Sequence, residues 1–537
     1  MQQSRYVIGV DVGTGSARAG VFDPAGHPRG SARSDFALYR APGAMVEHSS
    51  AEIWRAVCIA VRAAMRAADV DPAAIAGIGF DATCSLVVVG QEGAPLAVGP
   101  SGDPNRDTIV WMDHRALDQA ARITALGHPV LAYVGGIISP EMQTPKLLWL
   151  HEHRRDVFDA AWQFFDLVDY LTWRATGCLA RSSCTLTCKW TYLAHENRWD
   201  ASYFAQIGLG MLAEEGFARI GTEVVPPGSP LGQGLSGRAA AELGLAPGTP
   251  VGAGLIDAHA GGVGTVGAGQ DVTSSMAYVF GTSSCTMTTA AEPVFVPGIW
   301  GPYRSAMVPD HWLIEGGQSA AGAAMDQLLA MHPAAGEAAT QAGAAAKSLP
   351  GWLADCALAR VAEASDVVHL AQGLHVVPEF LGNRAPFADP HARAVIAGLG
   401  MDRDIDSLVR LYVAGLTGIG YGLRQIIAAQ AASGAVVARV VISGGAGQHP
   451  LVRQILADAT GLPVVATRAD EPVLLGSAML GAVAGGLFAD LAPAMAGMSA
   501  ASETYLPARN GIDTLHRLRY DAFVRLQGVA RDIRHEA

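Results

Sequence analysis

Residues 6–22 read YVIGVDVGTGSARAGVF, and this stretch decides the fold. The β-branched run at 6–12 predicts a short strand. The turn GTGS then leads into a second apolar run, which ends at the turn signal Asp-Pro-Ala-Gly over 23–26. Strand, tight turn and strand together predict a β-hairpin that opens a sheet. A Rossmann fingerprint is excluded, because its glycines would open a helix rather than a second strand.

A second strand–turn–strand pattern opens the other half of the chain. Residues 277–289 read AYVFGTSSCTMTT, which matches the first hairpin in type though hardly in identity. A long helical pattern covers 405–430, and 436–465 alternate as strand, glycine-rich turn, helix from near Pro450, and strand. The sequence therefore predicts an α/β protein of two lobes, each begun by a hairpin with a Gly/Thr/Ser-rich turn.

The glycine-rich segment 251–269, VGAGLIDAHAGGVGTVGAG, is predicted to join the lobes. Glycine is a poor residue for a helix interior, so we expect a strand, a turn and a crossing here, with the domain boundary at this point. The remaining expected elements are strands at 75–81 and 86–89, a helix after the capping box Ser49–Glu52, helical patterns at 145–151 and 161–173, and loops at 226–237.

The composition is that of a soluble protein with more than one core. The chain has 537 residues, 50% of them hydrophobic, and single cores stop growing near about 250–300 residues. A formal net charge of −12 without a clustered basic face argues against nucleic acid as a partner. We expect no signal peptide, and the odd, scattered set of seven cysteines fits reduced thiols in the cytoplasm.

Two segments could suggest a membrane span or a zinc site, but ordinary structure is the better interpretation of each. Residues 472–489 are uncharged and approach the length of a membrane span, but their four glycines and acidic flanks favour a tightly packed buried helix, and no membrane partner is expected. Cys184 and Cys188 could be half of a zinc site, yet no second pair with matching spacing follows them.

The two hairpin turns carry the residues that we expect to bind phosphate. Glycines in such a turn let successive N–H groups converge on an anion, and neighbouring hydroxyls add donors. The first turn offers Gly13, Thr14, Gly15 and Ser16. The second offers Gly281, Thr282 and Ser283. Asp11 cannot bind phosphate directly, but it fits a Mg²⁺ ion that lies between it and the phosphates.

A third glycine loop, ISGGAGQHPLVRQ at 442–454, is the candidate adenosine site. Gly444 and Gly445 would let a flat ring approach the backbone, with Gln448 beside it. Each loop taken alone is also compatible with a plain turn. No Gly-Lys pair and no HRD or DFG motif occurs, which excludes a Walker-type P-loop and the protein kinases.

Taken in this order, the three loops resemble those of the FGGY carbohydrate kinases, members of the actin-like ATPase superfamily. The resemblance runs from Ile8 to about Leu487 and includes WMDHRA at 111–116, GLIDAHAGGVG at 254–264, IEGGQSAAG at 314–322 and EFLGNRAPFADPHARAVIAGL at 379–399. The motifs most similar to ribulokinases, especially those acting on D-ribulose, are VEHSSAEIW at 46–54, GFDATCSLVV at 79–88 and TCKW at 187–190. Gln448 and His449 depart from the family, where Asn or Lys is frequent.

The resemblance implies two actin-like, ribonuclease H-like ATPase lobes with a catalytic cleft between them. Residues 1–265 would bind the sugar, 266–490 would bind ATP, and 491–537 would form a helical extension. With ATP and Mg²⁺, the protein would phosphorylate the terminal hydroxyl of a ketopentose, D-ribulose first. Asp257 would be the general base, and Asp11 would orient Mg²⁺ through water. Lobe closure is expected to exclude water from the cleft.

A sugar site needs convergent polar side chains and an aromatic face. Lys189 and Glu315 match positions that contact the substrate in ribulokinases, and lysine is scarce in this chain. The candidate sugar contacts are Thr83, Ser85, Trp111, Asp113, Lys189, Asp257 and Glu315. Trp111 fits a core role equally well. Hydrogen bonding or packing, rather than chemistry, is expected of His114, His259 and His449.

Several alternatives stay open. The substrate could be L-ribulose, xylulose, a tetritol or glycerol. The chain could be an actin-like ATPase of the chaperone or filament type, although the short extension after 490 disfavours this. A sensor without catalysis is disfavoured because Asp11 and Asp257 are both present. The oligomeric state is left open, with a homodimer among the candidates.

Overall fold

Twenty-one strands build two central sheets, one five-stranded side sheet and two two-stranded sheets in the part of the chain that the structure describes. This computed structural model describes residues 5–269 and 271–536; positions 1–4, 270 and 537 of the predicted domains lie outside it. The strands in chain order are β1 (Tyr6–Val12), β2 (Ser16–Phe22), β3 (Pro28–Asp35), β4 (Tyr39–Ala41), β5 (Met45–His48), β6 (Ile75–Ala82), β7 (Leu86–Val89), β8 (Thr108–Ile109), β9 (Gln163–Asp166), β10 (Arg181–Ser182), β11 (Val224–Val225), β12 (Leu255–Ile256), β13 (Ser275–Phe280), β14 (Ser284–Ala290), β15 (Trp300–Arg304), β16 (Trp312–Gln318), β17 (His375–Val377), β18 (Val395–Ala397), β19 (Arg439–Ser443), β20 (Val464–Thr467) and β21 (Ala501–Tyr505).

Helices pack around these sheets. They are, in chain order, α1 (Ser50–Ala68), α2 (Leu117–Leu126), α3 (Gln143–His153), α4 (Arg155–Ala160), α5 (Leu167–Thr176), α6 (Ser183–Lys189), α7 (Ala201–Gln206), α8 (Gly210–Glu214), α9 (Gly237–Leu243), α10 (Asp257–Val266), α11 (Gly322–Ala330), α12 (Ala335–Ala344), α13 (Leu349–Leu358), α14 (Ile405–Ala432), α15 (Pro450–Thr460), α16 (Pro472–Ala484), α17 (Leu491–Met498) and α18 (Ile512–Glu536).

The two central sheets share one plan. The first has the order β12-β6-β1-β2-β3, in which β1 and β2 form the predicted hairpin and β6 and β12 run parallel to β1. The second has the inner order β20-β19-β13-β14-β16, with the same directions around the second predicted hairpin. Strands β15 and β21 extend its two edges. The prediction of two lobes, each opened by a hairpin, is confirmed.

Helix α1 shows how local sequence sets one boundary. Its N-cap is Ser49, whose hydroxyl accepts the N–H of Glu52 at 3.3 Å. The predicted capping box is only half formed, because the carboxylate of Glu52 accepts the hydroxyl of Tyr39 at 3.0 Å. The apolar face behind the cap is buried against the first sheet.

Helix α16 packs backbone to backbone on the first sheet and on α10. A Cβ added at Gly79 of β6 would overlap the carbonyl oxygen of Ser477 in α16. A Cβ at Gly476 would overlap the carbonyl oxygen of Ala260, and one at Gly264 would overlap that of Pro472. These contacts require glycine because no side chain fits between the backbones. The apolar run at 472–489 thus contains the buried helix α16, which ends at Ala484, and no helix within the described ranges could cross a membrane.

Three predicted elements differ in the structure. The glycine-rich segment 251–269 contains the helix α10 instead of a turn and a crossing, because its close packing on α16 outweighs the low helix propensity of glycine. The helical pattern predicted at 161–173 begins with a strand, β9, whose alternate residues lie in two different cores. The extension after residue 490 contains the strand β21, paired with β20, between its two helices.

We expect Gly476→Ala to lower the thermal midpoint, because overpacking at a site that cannot expand destabilises a fold by about 1–3 kcal/mol. The matched control is Gly343→Ala in α12, where a Cβ would meet nothing within 4 Å. That change should raise stability slightly, by up to about 1 kcal/mol, because alanine is the better helix former. Thermal unfolding of both variants tests this packing, and equal effects would contradict it.

Candidate functional site

Three carboxylates meet at one edge of the first sheet. Asp11 in β1 and Asp81 in β6 are directly paired in register, and β12 continues into α10, whose first residue is Asp257. Because β1, β6 and β12 are parallel, their carboxyl ends lie at the same edge, which is where ligands bind in open α/β sheets. The sequence analysis selected Asp11 and Asp257 but missed Asp81, although it lies within the quoted motif GFDATCSLVV.

The carboxylates perturb one another. Desolvation and the neighbouring charge of Asp11 raise the pKa of Asp257 to about 6. Complete burial and the same charge hold the pKa of Asp81 well above its usual range, and Asp81 accepts a hydrogen bond from the hydroxyl of Ser477 in α16. Asp257 therefore ionises near neutral pH while it keeps an appreciable affinity for a proton.

Arg18 is the cation in contact with this cluster. Its Nε donates to Oδ2 of Asp11 at 2.8 Å, and its Nη1 donates to Glu471 at 2.6 Å. Both contacts from Arg18 to Asp11 engage Oδ2. No group of three His, Cys, Asp or Glu side chains in the described part of the chain could hold a metal ion. Three neighbouring carboxyl groups nevertheless fit a hydrated divalent cation.

The first predicted phosphate turn, residues 13–16, is a tight hairpin. The N–H of Gly13 donates to the carbonyl of Ser16 at 3.0 Å, and Gly15 is exposed at the tip. The hydroxyl oxygen of Thr14 accepts the indole N–H of Trp111 at 3.0 Å. Trp111 thus ties the predicted sugar side to this turn, and the hydroxyl proton of Thr14 remains available to another acceptor.

A cavity of about 700 Å³ lies in the second lobe beside the other two glycine loops. It is lined by four of the predicted ATP-binding residues: Gly281, Thr282, Gly445 and Gln448. Ser283 is outside the lining and closes its turn by accepting the N–H of Gly281 at 3.0 Å. Gly444 borders a smaller cavity behind this one, and its φ of +91° and close approach to Phe280 require glycine.

His449 lines the same large cavity and has a structural task. It caps α15 by accepting the N–H of Leu451 at 3.1 Å, and its other ring nitrogen lies 3.2 Å from Asp355. This agrees with the hydrogen-bonding role expected from the sequence.

Thr83 and Ser85 lie just beyond β6 and are buried. Their hydroxyl oxygens are 3.1 Å apart, and that of Ser85 accepts the backbone N–H of Trp111 at 3.1 Å. The two hydroxyls therefore hold the tryptophan segment in place, and Thr83 keeps hydrogen-bonding capacity toward the cleft.

The structure gives Asp113 a different role from the predicted sugar contact. Its Oδ1 accepts the backbone N–H and Nε of Arg115, each at 2.9 Å. Its Oδ2 accepts the N–H of Val46 at 2.6 Å and Nη2 of Arg115 at 2.8 Å. Arg115 also pairs with Glu47 at 2.8 Å. Asp113 is completely buried and both its oxygens accept protein donors, which gives it a structural task, and its sugar contact stays a prediction.

Lys189 and Glu315 lie in a buried polar cluster where the lobes meet. The Nζ of Lys189 lies 5.1 Å from the ring centroid of Trp300, and the guanidinium of Arg384 is 5.9 Å from the same ring. Glu315 pairs with His259 at 3.2 Å. Sequence reasoning missed Trp300 and Arg384, although Arg384 lies in the quoted stretch at 379–399.

The charge of Glu315 is held by its neighbours. Burial alone would raise its pKa, but the hydrogen bond and charge of His259, with the charges of Lys189 and Arg384, lower that pKa to about 2. Lys189 also acts on the pKa of Asp257, so the predicted base and the predicted sugar contacts share one electrostatic environment. Glu315 is thus an ionised acceptor and Lys189 a donor beside it.

The chain matches the models of the FGGY family of carbohydrate kinases, the N-terminal domain over residues 6–264 and the C-terminal domain over residues 276–485. It is 44% identical over 533 residues to the FGGY carbohydrate kinase domain-containing protein of Homo sapiens, covering 97% of this chain and 96% of that one. It is 38% identical over 515 residues to a D-ribulokinase of Saccharomyces cerevisiae, covering 90% and 72%. The crystal structure of xylulose kinase from Rhodospirillum rubrum has the same fold, with a TM-score of 0.81 at 22% identity and coverage of 99% and 100%.

We expect Asp257→Asn to stabilise the protein at neutral pH. The pKa of Asp257 is about 6 in the folded state against an ordinary 3.8, so its ionisation destabilises the fold as pH rises through that interval. The gain should be about 1–3 kcal/mol above pH 6 and should vanish near pH 4. The control Asp113→Asn should instead destabilise, because it weakens the buried pair with Arg115. Thermal midpoints measured across this pH range show whether each variant stabilises or destabilises the protein.

Proposed function

The chain belongs to the FGGY family of carbohydrate kinases, and from that premise we propose that it transfers the γ-phosphoryl group of ATP to the terminal hydroxyl of a ketopentose, D-ribulose first, giving D-ribulose 5-phosphate. One observation carries the proposal. Asp257, the first residue of α10, has a pKa of about 6 and is near enough to both Asp11 and Lys189 for their charges to act on that pKa. The relative named D-ribulokinase supports the choice of substrate.

Asp257 would act as the general base. The terminal hydroxyl oxygen of the sugar forms a bond to the γ-phosphorus as the bond from that phosphorus to the ADP oxygen breaks. The hydroxyl proton moves to the carboxylate of Asp257. A pKa of about 6 suits this task, because the group is mostly ionised at neutral pH yet still basic enough to take the proton.

The nucleotide would lie along the glycine loops. The backbone N–H of Thr282 and the free hydroxyl proton of Thr14 can donate to phosphate oxygens, while the N–H groups of Gly13 and Gly281 close their own turns and shape the two loops. The cavity of about 700 Å³ has room for adenosine beside Gly445 and Gln448. Asp11 would hold Mg²⁺ through water, and this ion would supply charge neutralisation for the phosphates.

The ketose would lie between Lys189 and Glu315. The ammonium of Lys189 donates to sugar oxygens, and the ionised Glu315 accepts a sugar hydroxyl. On this proposal residues 1–265 carry the sugar-binding lobe, 266–490 the ATP-binding lobe and 491–537 the extension. All seven cysteines are free thiols, which supports the proposed cytoplasmic setting.

We expect Mg-ATP turnover that depends on added ketose and is fastest with D-ribulose. A coupled ADP-release assay measures this against D-ribulose, L-ribulose, D-xylulose, L-xylulose, ribitol and glycerol, with mass spectrometry of the phosphorylated product. Faster turnover with another sugar of the panel would change the proposed substrate but still support a sugar kinase activity. ATP hydrolysis at one rate with every sugar or none would refute the sugar kinase and favour an actin-like ATPase.

We expect Asp257→Asn to lower kcat by about 10²–10⁴-fold, because the isosteric amide cannot accept the hydroxyl proton. In the wild-type protein, kcat/KM for the ketose should fall with a one-proton slope below pH about 6, where Asp257 is protonated. The control is Asp118→Asn, an exposed carboxylate in the first turn of α2. A pH profile flat down to pH 5 would contradict the assignment of Asp257 as the base.

A further inference from the structure

His259 is buried between three elements that meet beside the sugar site. Its Nδ1 lies 3.1 Å from the Sγ of Cys184 in α6, and its Nε2 lies 3.2 Å from Oε2 of Glu315 in β16. The ring itself belongs to α10, two residues after Asp257. Its exposed fraction is 1%, so both nitrogens are served by these two partners.

The groups around the ring decide which atom donates and which accepts in each of the two contacts. The Sγ of Cys184 accepts the backbone N–H of Ile256 at 3.4 Å, which makes the sulfur an acceptor on this side. Burial lowers the pKa of His259, but the charge of Cys188, followed by the hydrogen bond and charge of Glu315, raises it above its ordinary value. A ring protonated on both nitrogens donates to Cys184 and to Glu315.

The hydrogen bond occupies one oxygen of Glu315. Within the described residues, Oε2 is the oxygen engaged by a hydrogen bond, while Oε1 is left for another donor. Lys189 lowers the pKa of the same carboxylate and lies over Trp300, so the free oxygen belongs to the polar cluster proposed to hold the ketose.

We propose that His259 is a positioning residue for sugar recognition: it fixes the carboxylate of Glu315 in one orientation, so that Oε1 accepts a hydroxyl of the ketose beside Lys189. This rests on the proposed function. His259 touches neither the reacting hydroxyl nor the phosphates; it acts through Glu315. Because α10 carries both His259 and Asp257, the same helix sets the sugar contact and the base.

Two substitutions separate the two contacts of the ring. In His259→Gln, the longer side chain places an amide N–H near the former Nε2 and keeps a donor for Glu315. In His259→Asn, the shorter side chain reaches only the former Nδ1 position and keeps the contact with Cys184. Each variant loses one contact and the ring, which makes them matched controls for packing.

The expected result is a selective effect on KM for the ketose. His259→Asn should raise it about tenfold or more, the usual consequence of losing a charge-assisted hydrogen bond that orients a ligand contact. His259→Gln should stay within about threefold of the wild type. KM for ATP should be unchanged in both. Equal losses in thermal midpoint and kcat for the two variants, without a difference in ketose KM, would overturn the proposal.

A double-mutant cycle tests whether His259 acts through Glu315. Glu315→Gln alone should raise the ketose KM, and adding His259→Asn should raise it no further, because the two residues share one interaction. Independent, multiplying effects would overturn the positioning role. If neither His259 variant folds, Cys184→Ala loosens the ring from its other side and should raise the ketose KM by about threefold; no change would count against the proposal.

The outcomes also distinguish this inference from the proposed function. A wild-type protein that phosphorylates no sugar would end the proposed function. A wild-type protein that phosphorylates the ketose, with a ketose KM unchanged in Glu315→Gln, would leave the kinase intact and end only the role of His259.

Discussion

The repulsion among Asp11, Asp81 and Asp257 is the interaction on which the site depends. Parallel pairing of β1, β6 and β12 forces these carboxylates to one edge of the sheet. Their mutual charge has to be relieved locally, because like charges in a poorly hydrated cleft interact strongly. Arg18 neutralises Asp11, protonation is favoured at Asp81, and Asp257 is left with a pKa of about 6. The raised pKa of Asp257 thus follows from burial, strand pairing and charge.

The opposite wall of the cleft has the reverse arrangement. There His259, Lys189 and Arg384 act on one buried carboxylate, that of Glu315, and lower its pKa to about 2 against the effect of burial. The cleft therefore contains one carboxyl group held ready to take a proton and another held firmly ionised. Pairs of titratable groups pushed in opposite directions are characteristic of sites that bind and transfer protons. These two carboxyl groups, Asp257 and Glu315, come from different lobes.

Much of this could be predicted from the sequence, and the failures have physical causes. The two hairpins follow from local patterns, because turn chemistry is decided by adjacent residues, whereas Asp257 was selected through the family resemblance. The burial of Asp113 against Arg115 and Val46 could not be predicted, because Val46 is 67 residues away in the chain. Trp300 and Arg384 were missed because Trp300 meets Lys189, and Arg384 meets Trp300, only across long stretches of chain that no local window contains.

The helix α10 was misassigned for a related reason. Its glycines weaken it as an isolated helix, and only contact with α16 explains them, since each helix offers glycine where the other presents a carbonyl oxygen. Every other amino acid carries a Cβ, so positions such as Gly79, Gly264 and Gly476 have no conservative replacement. At these positions, a substitution by any other amino acid is expected to destabilise the fold. A library that varies the chain freely would return the same residues there, for reasons of packing alone.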